Sequence, residues 1–385
     1  MMQINKDKWQ DVQYGKYVNH IEINETNPNV RKKARFVSVE HIESGNFKIV
    51  SWANEEMPTF FRTFKSGQIL FGKRRAYQRK VAIANFDGIC SPHIWALDAK
   101  NGLIQELLPF IMLTDPFYVY ANANSAGTMS VYLKWPQLAK YTFKLPPIQM
   151  QKQIASLFLS VEKTIEDVEV HEKKLKVLWK RLINEFINNT PSFGNLLKDI
   201  ELQKVTYCEV TEKVMRKIDP LTYGIERIVA GENLESEDFK IRTWQKIGKG
   251  YLGPAFHVLF MQGDILYGSR RTYLRKVSLA DFDGVCANTT YVIRAKENLL
   301  LQDLLKHIML SERFTQYSIG VSKGSTNPYI NWKDLDNFTF QIPDIETQKK
   351  IVKVLDDVLI IIEQLKHQIT NLKNLKQKLL NEILG

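Results

Sequence analysis

Two short runs of cations around a tyrosine are the residues of this chain best suited to chemistry. The first is Lys73-Arg74-Arg75-Ala76-Tyr77-Gln78-Arg79-Lys80. The second is Ser269-Arg270-Arg271-Thr272-Tyr273-Leu274-Arg275-Lys276. A guanidinium can donate two parallel hydrogen bonds to guanine O6 and N7, or clamp a phosphate. Most such contacts position a partner rather than specify it. Arg74, Arg75, Arg270 and Arg271 are the residues expected to reach a nucleic acid. Lys73, Tyr77, Arg79, Lys80, Ser269, Tyr273, Arg275 and Lys276 stand beside them as further candidates. The plain alternative is a solvated hairpin tip; the cluster's appearance at two matched places argues against it.

A second candidate set lies in two small-residue loops. One holds Ser125, Gly127 and Thr128, the other Lys323, Gly324, Ser325 and Asn327. Glycine and hydroxyl residues let backbone amides approach a phosphate. A simple connecting loop fits the same residues. Other motifs dissolve on inspection. Gly248 to Gly253 has the spacing of a dinucleotide loop, but Pro254 follows at once and no helix opens there. Asn327-Pro328-Tyr329 lacks the second proline of an adenine-methyltransferase signature. Asp87 and Asp283 each precede a glycine, which suits a turn better than catalysis. The histidines and cysteines show no metal-ligand spacing. No catalytic residue and no metal site are assigned.

Composition agrees with an anionic partner. The chain has 385 residues, with 44% hydrophobic and 25% charged, which is ordinary for a globular protein of two or three domains. A net charge of +11 and a pI near 9.3 are less ordinary. They suggest nucleic acid as partner, with an acidic membrane surface second and a basic surface kept for solubility as the bland reading. No apolar run is long enough to span a bilayer, and the first residues do not resemble a signal peptide. Cys90, Cys208 and Cys286 fit a reducing compartment, so the cytoplasm is the expected location. Cys90 and Cys286 occupy matched positions and read as small buried apolar residues.

The elements that must position these residues come in two copies. Gly67 to Lys100 and Gly263 to Lys296 align without a gap at about half their positions. Gly-x-Ile-Leu and Val-x-x-Ala-x-Phe are strand material, and each basic cluster falls between them. The match continues outward: Arg35 to Ile42 with Arg227 to Leu234, Trp52 with Trp244, Leu107 to Leu113 with Leu304 to Leu310, and Trp135 with Trp332. Residues 105–113 are expected to be helical, with Pro109 working against it. Residues 1–146 and 190–343 are therefore read as two similar β-rich domains.

Each domain is followed by a long amphipathic helix, 147–189 and 344–385. In the first, Ile154, Val161, Val168, Leu175 and Leu182 recur every seven residues, with Phe158, Ile165 and Trp179 at the offset position. In the second, Ile351, Val358, Leu365, Leu372 and Leu379 do so, with Leu355, Ile362 and Ile369 offset. This is a coiled-coil seam, on the order of 55–60 Å long in the first helix at 1.5 Å per residue. One seam cannot be buried alone. An antiparallel pair would satisfy both; two helices folded back on their own domains is the alternative. The fold class is α+β: two β-rich mixed domains separated by two long antiparallel coiled-coil helices, in a pseudo-twofold internal repeat.

The order domain, helix, domain, helix is joined by a Leu-Pro-Pro-x-x-x-Gln-Lys-x-Ile signature from Leu145 to Ile154. A variant runs from Ile342-Pro343-Asp344 to Gln348-Lys349-Lys350-Ile351. Over essentially its whole length the chain resembles the DNA-specificity subunit of type I restriction–modification systems. The resemblance implies two target-recognition domains, each reading one half of a bipartite double-stranded DNA site. It implies that the helices space the domains and dock two methyltransferase subunits, which carry S-adenosylmethionine. It also implies that this chain has no catalytic activity and no cofactor of its own, and that restriction/translocase subunits are further partners. The departure is Asp344 where the first copy has Pro147, and a carboxylate suits a helix N-terminus. Two rival classes remain open: a stand-alone DNA methyltransferase or nuclease, and a helical scaffold that binds only protein.

Overall fold

The computed structural model describes residues 6–54, 61–127, 131–188, 197, 200–248 and 255–385. Thr128 and most of the Gly248–Gly253 motif lie outside the described residues. The chain forms two compact units. The first is Met1–Glu169 with His367–Gly385, and the second is Val170–Lys366. Each unit thus contains one β-rich region, part of the first long helix (Ile148–Ile187) and part of the second (Ile345–Leu384).

In the first unit, a four-stranded antiparallel sheet runs in the order Val18–Ile21, Ile94–Ala99, Ile69–Gly72, Val81–Ile83. A smaller sheet pairs Arg35–Val37 in parallel with Gly88–Cys90, and Gly88–Cys90 antiparallel with Arg62–Phe64. The period of two in the strands decides which core each residue joins. Leu70, Ile94 and Ala96 face Val37, Phe64 and Cys90 of the smaller sheet. Ile69, Phe71, Trp95 and Leu97 face the opposite way, toward Phe110, Phe117 and the helix residues Ile154 and Phe158. A strand buried on both faces explains why the repeated segments read as unbroken apolar runs.

The second unit repeats this in detail. Its larger sheet runs Thr211–Val214, Thr290–Ala295, Ile265–Gly268, Val277–Leu279. Ile265, Tyr267 and Ile293 join one core, and Leu266 and Val292 the other. Cys90 and Cys286 are fully buried, and burial pushes both thiols up to about 12, so neither is a nucleophile. The Asp-Gly turns are structural. Asp87 accepts from the Ser66 backbone and Asp283 from the Gln262 backbone, both at 2.8 Å. A Cβ on Gly88 would lie 2.7 Å from the Arg35 carbonyl, and one on Gly284 would lie 2.6 Å from the Phe260 ring.

The expected helix over residues 105–113 is shorter: only Leu108–Met112 is helical. Pro109 has no N–H to give and sits at the start, where none is needed. The matched segment of the second unit has Lys306 there, and its helix runs Gln302–Ile308.

The seam residues of the long helices do more than face another helix. Ile154 and Phe158, at the start of the first helix, are buried in the first unit's core, and so are Leu380, Ile383 and Leu384 at the end of the second. In the second unit the same core positions are taken by Trp179, Ile183, Phe186 and Ile187 with Ile351, Leu355 and Ile362. Val161, Leu175, Leu182, Val358, Leu365, Ile369, Leu372 and Leu379 are half-buried, while Ile165 and Val168 are buried. Within the first unit the two helices run antiparallel. Lys376 pairs with Glu162 at 2.6 Å and Lys373 with Glu169 at 2.8 Å, so one number rises as the other falls.

The glutamine of the signature has a definite task. Gln151 donates to the carbonyls of Gly102 and Pro146, both at 2.9 Å, and accepts from the Ile104 backbone at 3.0 Å. Gln348 does the same with Leu299, Pro343 and Leu301. Each pins a helix start to the segment that follows the strand Ile94–Ala99 or Thr290–Ala295. Asp344 caps the second helix by accepting from the Thr347 backbone at 3.0 Å.

Candidate nucleic-acid interface

The basic cluster follows the strand Ile69–Gly72 and is not an open hairpin tip. It winds into one turn of 3-10 helix, Ala76–Gln78, with Thr272–Leu274 as its match. Arg75 and Arg79 flank the first turn with φ of 54° and 51°; Arg271 and Arg275 flank the second with 51° and 52°. Left-handed backbone costs a residue with a Cβ roughly 1–2 kcal/mol. Both units accept that cost at the same two matched positions, and the result is that Arg75, Tyr77, Arg271 and Tyr273 are exposed.

The sequence cluster divides into two groups. Arg79 pairs with Asp115 at 2.6 Å and lies over the Tyr118 ring at 4.8 Å. Arg275 pairs with Glu237 and Glu312, each at 2.8 Å, and donates to the Leu310 carbonyl. Lys80 donates to the Val39 carbonyl at 2.7 Å, and Lys276 to the Gly231 carbonyl at 2.6 Å. These four cations brace the turn from within. Lys73 lies over the Trp95 ring at 5.4 Å, and burial lowers its ammonium pKa. Its counterpart Ser269 is buried and donates to the Thr289 carbonyl at 2.6 Å.

The bracing reaches the ends of the long helices. Asp115, which holds Arg79, is held by Asn381: the Asn381 amide donates to its carboxylate at 2.6 Å and accepts from its backbone at 2.8 Å. Glu312, which holds Arg275, has its backbone N–H bound by Asn184 at 2.7 Å. The same relay of arginine, carboxylate and asparagine appears in both units.

The two candidate sets, separate in sequence, converge in space. In the first unit Tyr132 lies in backbone pairing between Arg74 on one side and Ala126 on the other, and the Arg75 N–H donates to the Val131 carbonyl at 2.8 Å. In the second, Tyr329 lies between Arg270 and Lys323, and the Arg271 N–H donates to the Pro328 carbonyl at 2.7 Å. Arg271 also donates from Nε to the Asn327 side chain at 3.2 Å. Lys323 itself is paired with Asp334 at 3.1 Å. Gly127 and Gly324 turn these loops with φ of 105° and 90°, which explains glycine at both places. Ser125 donates back to the Ala121 carbonyl at 2.8 Å, so its hydroxyl closes a helix end.

Sequence reasoning missed Tyr132 and Tyr329. They are 40% and 43% exposed, and with Tyr77 and Tyr273 they give each unit two outward aromatic faces beside arginines. The signal was present: each precedes the matched tryptophan, Trp135 or Trp332, by three residues. A second repeated feature lies on the smaller sheets. Arg35 stacks on Trp52 and Phe86 at 4.6 and 4.7 Å, and Arg227 on Trp244 and Phe282 at 4.9 and 4.5 Å. Each unit therefore presents guanidinium forks, aromatic faces and a glycine-hinged backbone together, a surface suited to phosphates and base edges.

The first unit adds a histidine. His20 lies 5.3 Å from both the Trp95 and Trp135 rings, and burial lowers its pKa to about 4 despite Glu22 nearby. A histidine held neutral contributes stability above its unfolded pKa of about 6.5. That stability declines as pH falls from there toward 4. Chemical denaturation of wild type and His20→Phe across pH 4–7 checks this: the wild-type loss on acidification exceeds that of the variant.

The model of the type I restriction modification DNA specificity domain matches residues 6–177 and again 219–374. The chain belongs to that family, and its class is the specificity subunit. Among curated relatives, the specificity subunit of the type I restriction enzyme EcoDI from Escherichia coli is 24% identical over 290 residues. That match covers 67% of this chain and 64% of the relative, slightly under two thirds of its length. The MjaVIII specificity subunit from Methanocaldococcus jannaschii is 22% identical over 410 residues, covering 98% of this chain and 92% of that one. Two solved structures share the fold. A type I restriction–modification S subunit from M. genitalium has a TM-score of 0.58 at 12% identity, covering 100% of this chain and 98% of that one. A chain from a study of type I system assembly and conformational transition has a TM-score of 0.57 at 19% identity, covering 98% and 97%. Among the described residues, no helix is long and apolar enough to cross a membrane.

Proposed function

We propose that this chain is the DNA-reading component of a type I restriction–modification assembly, acting in the cytoplasm. Each unit reads one half of a bipartite duplex site. The observation that carries this is the repetition, in two matched family domains, of one surface. It comprises Arg74, Arg75, Tyr77, Tyr132 and the Gly127 loop in one, and Arg270, Arg271, Tyr273, Tyr329 and the Gly324 loop in the other. The arginines grip the backbone and meet base edges, while Arg79, Arg275, Lys80 and Lys276 hold the turn in shape. Recognition, not chemistry, is the task of this chain. Methylation is carried by two methyltransferase subunits with bound S-adenosylmethionine, and cleavage by restriction/translocase subunits. The long helices space the readers and dock the methyltransferases.

Selection of bound duplexes from a random library, with and without the methyltransferase, tests the reading. The expected result is a split motif with a fixed gap and related halves in inverted orientation. A single contiguous motif would count against two readers. Absence of enrichment, or binding indifferent to salt, would favour a protein-only scaffold.

A further inference from the structure

The two units share their gripping surface but differ sharply beside it. In the second unit a cleft of about 290 Å³ has Lys213, Met215, Lys217, His257 and Asn288 in its lining, with Val258 and Val292 as apolar walls. Lys213 lies over the Tyr291 ring at 4.3 Å. The Tyr291 hydroxyl donates to the Ile330 carbonyl at 2.7 Å, one residue from the exposed Tyr329. Asn288 precedes Thr289, whose carbonyl accepts from both the backbone and the side chain of Ser269, next to Arg270. The cleft is therefore linked through Tyr291 and Thr289 to the repeated arginine surface.

The register of the sheets identifies what stands there in the first unit. Lys213 is opposite Ile293, and His20 is opposite the matching Leu97. His20 packs between two tryptophans rather than presenting a cation. Glu22, at the position of Met215, takes Arg62 into an ion pair at 2.7 Å. Pro92 stands where the second unit has Asn288. Lys217 falls where the first unit has Asn24. The second unit thus has two lysines and an amide where the first has a histidine, an asparagine and a proline, and the first unit's own cations there, Arg62 and Lys73, are held by Glu22 and over the Trp95 ring. Ammonium donors placed beside a groove-reading arginine match the paired acceptors, O6 and N7, of guanine in the major groove.

We propose that the Lys213–Lys217–Asn288 cleft is a guanine-reading subsite of the second unit, whose two lysines are replaced by His20 and Asn24 in the first. It follows that the two half-sites share the base pairs met by the repeated arginines and differ at the positions next to them. This rests on the DNA-reading function proposed above.

The test is duplex selection with the full-length chain and its methyltransferase, comparing wild type with Lys213→Met and Lys217→Gln. Methionine keeps an unbranched apolar stem over Tyr291 and removes the charge. The expected result is loss of guanine preference, about ten-fold or more, at one or two positions of one half. The other half and the gap stay unchanged. An unchanged motif overturns the proposal. So does a uniform loss over all sequences with the salt slope reduced by about one, because that describes a phosphate contact. If Lys213→Met does not fold, Met215→Glu places the first unit's acid beside the cleft, and the same positions are expected to lose guanine. Lack of any split motif with wild type overturns the DNA-reading function itself, which separates that failure from failure of the subsite.

Discussion

Replacing Trp179 with alanine is expected to lower the stability of the second unit by about 3–5 kcal/mol, the usual cost of truncating a buried large aromatic. Trp179 is 3% exposed and comes from the first long helix. It meets Phe239 and His307 at 5.8 Å each, and shares a core with Leu304, Leu355 and Ile362. Beneath it, the buried His307 is bonded to Asp356 at 2.9 Å, and burial lowers its pKa. A cavity at this point removes apolar cover from a neutral imidazole as well as from the core. Trp179→Phe is expected to cost less than its lost volume suggests, because the indole N–H has no hydrogen-bond acceptor in the protein. Denaturant unfolding with limited proteolysis across residues 200–343 measures both. A loss under about 1 kcal/mol for the alanine variant would mean that the helix end is not part of the unit's core.

The matched position in the first unit is Lys376, and the contrast is instructive. Lys376 is 4% exposed, lies over Phe47 at 5.3 Å and pairs with Glu162, whose pKa burial raises. One junction is closed by an aromatic ring and the other by a charge pair, in the same geometric slot.

The second large effect concerns binding. Arg270→Ala combined with Arg271→Ala is expected to weaken binding to the selected duplex by about 2–5 kcal/mol, roughly thirty-fold to several thousand-fold. Each fork lost from a base edge costs about 1–3 kcal/mol. Arg271 is held on Asn327 and on the Pro328 backbone, so its fork is preset before any partner arrives. Preset side chains lose little freedom on binding, which places the variant toward the larger end of the range. The paired lysine variants separate two explanations. Lysine restores charge but not the planar fork. If it recovers affinity without recovering preference for the motif, the arginines read bases. If it recovers both, they hold phosphates. Titration at several salt concentrations measures the difference, and an effect under three-fold for the double alanine variant would remove these residues from the interface.

Much of this molecule was legible in the chain. The ungapped match of Gly67–Lys100 with Gly263–Lys296 reflects strands buried on both faces, where volume and period leave few choices. The seven-residue spacing marked two helices of 40 residues each. The aligned Arg-Arg-x-Tyr-x-Arg-Lys clusters marked the candidate interface, and the tandem signatures marked the family. These are local patterns, set by side-chain volume, charge and spacing along one segment.

What only the tertiary structure decided is which of those residues are free to act. Within one sequence cluster, Arg75 and Arg271 are exposed while Arg79 and Arg275 are bound by Asp115, Glu237 and Glu312, residues far away in the chain. The pairing of Tyr132 with Arg74, and of Tyr329 with Arg270, likewise joins segments over fifty residues apart. The seam residues were visible as a stripe, but whether Ile154 or Trp179 meets a helix or a domain core depends on what packs against it. A side chain's role follows from its partners in space. Sequence pattern specifies the face an element offers, and only the fold supplies what that face meets.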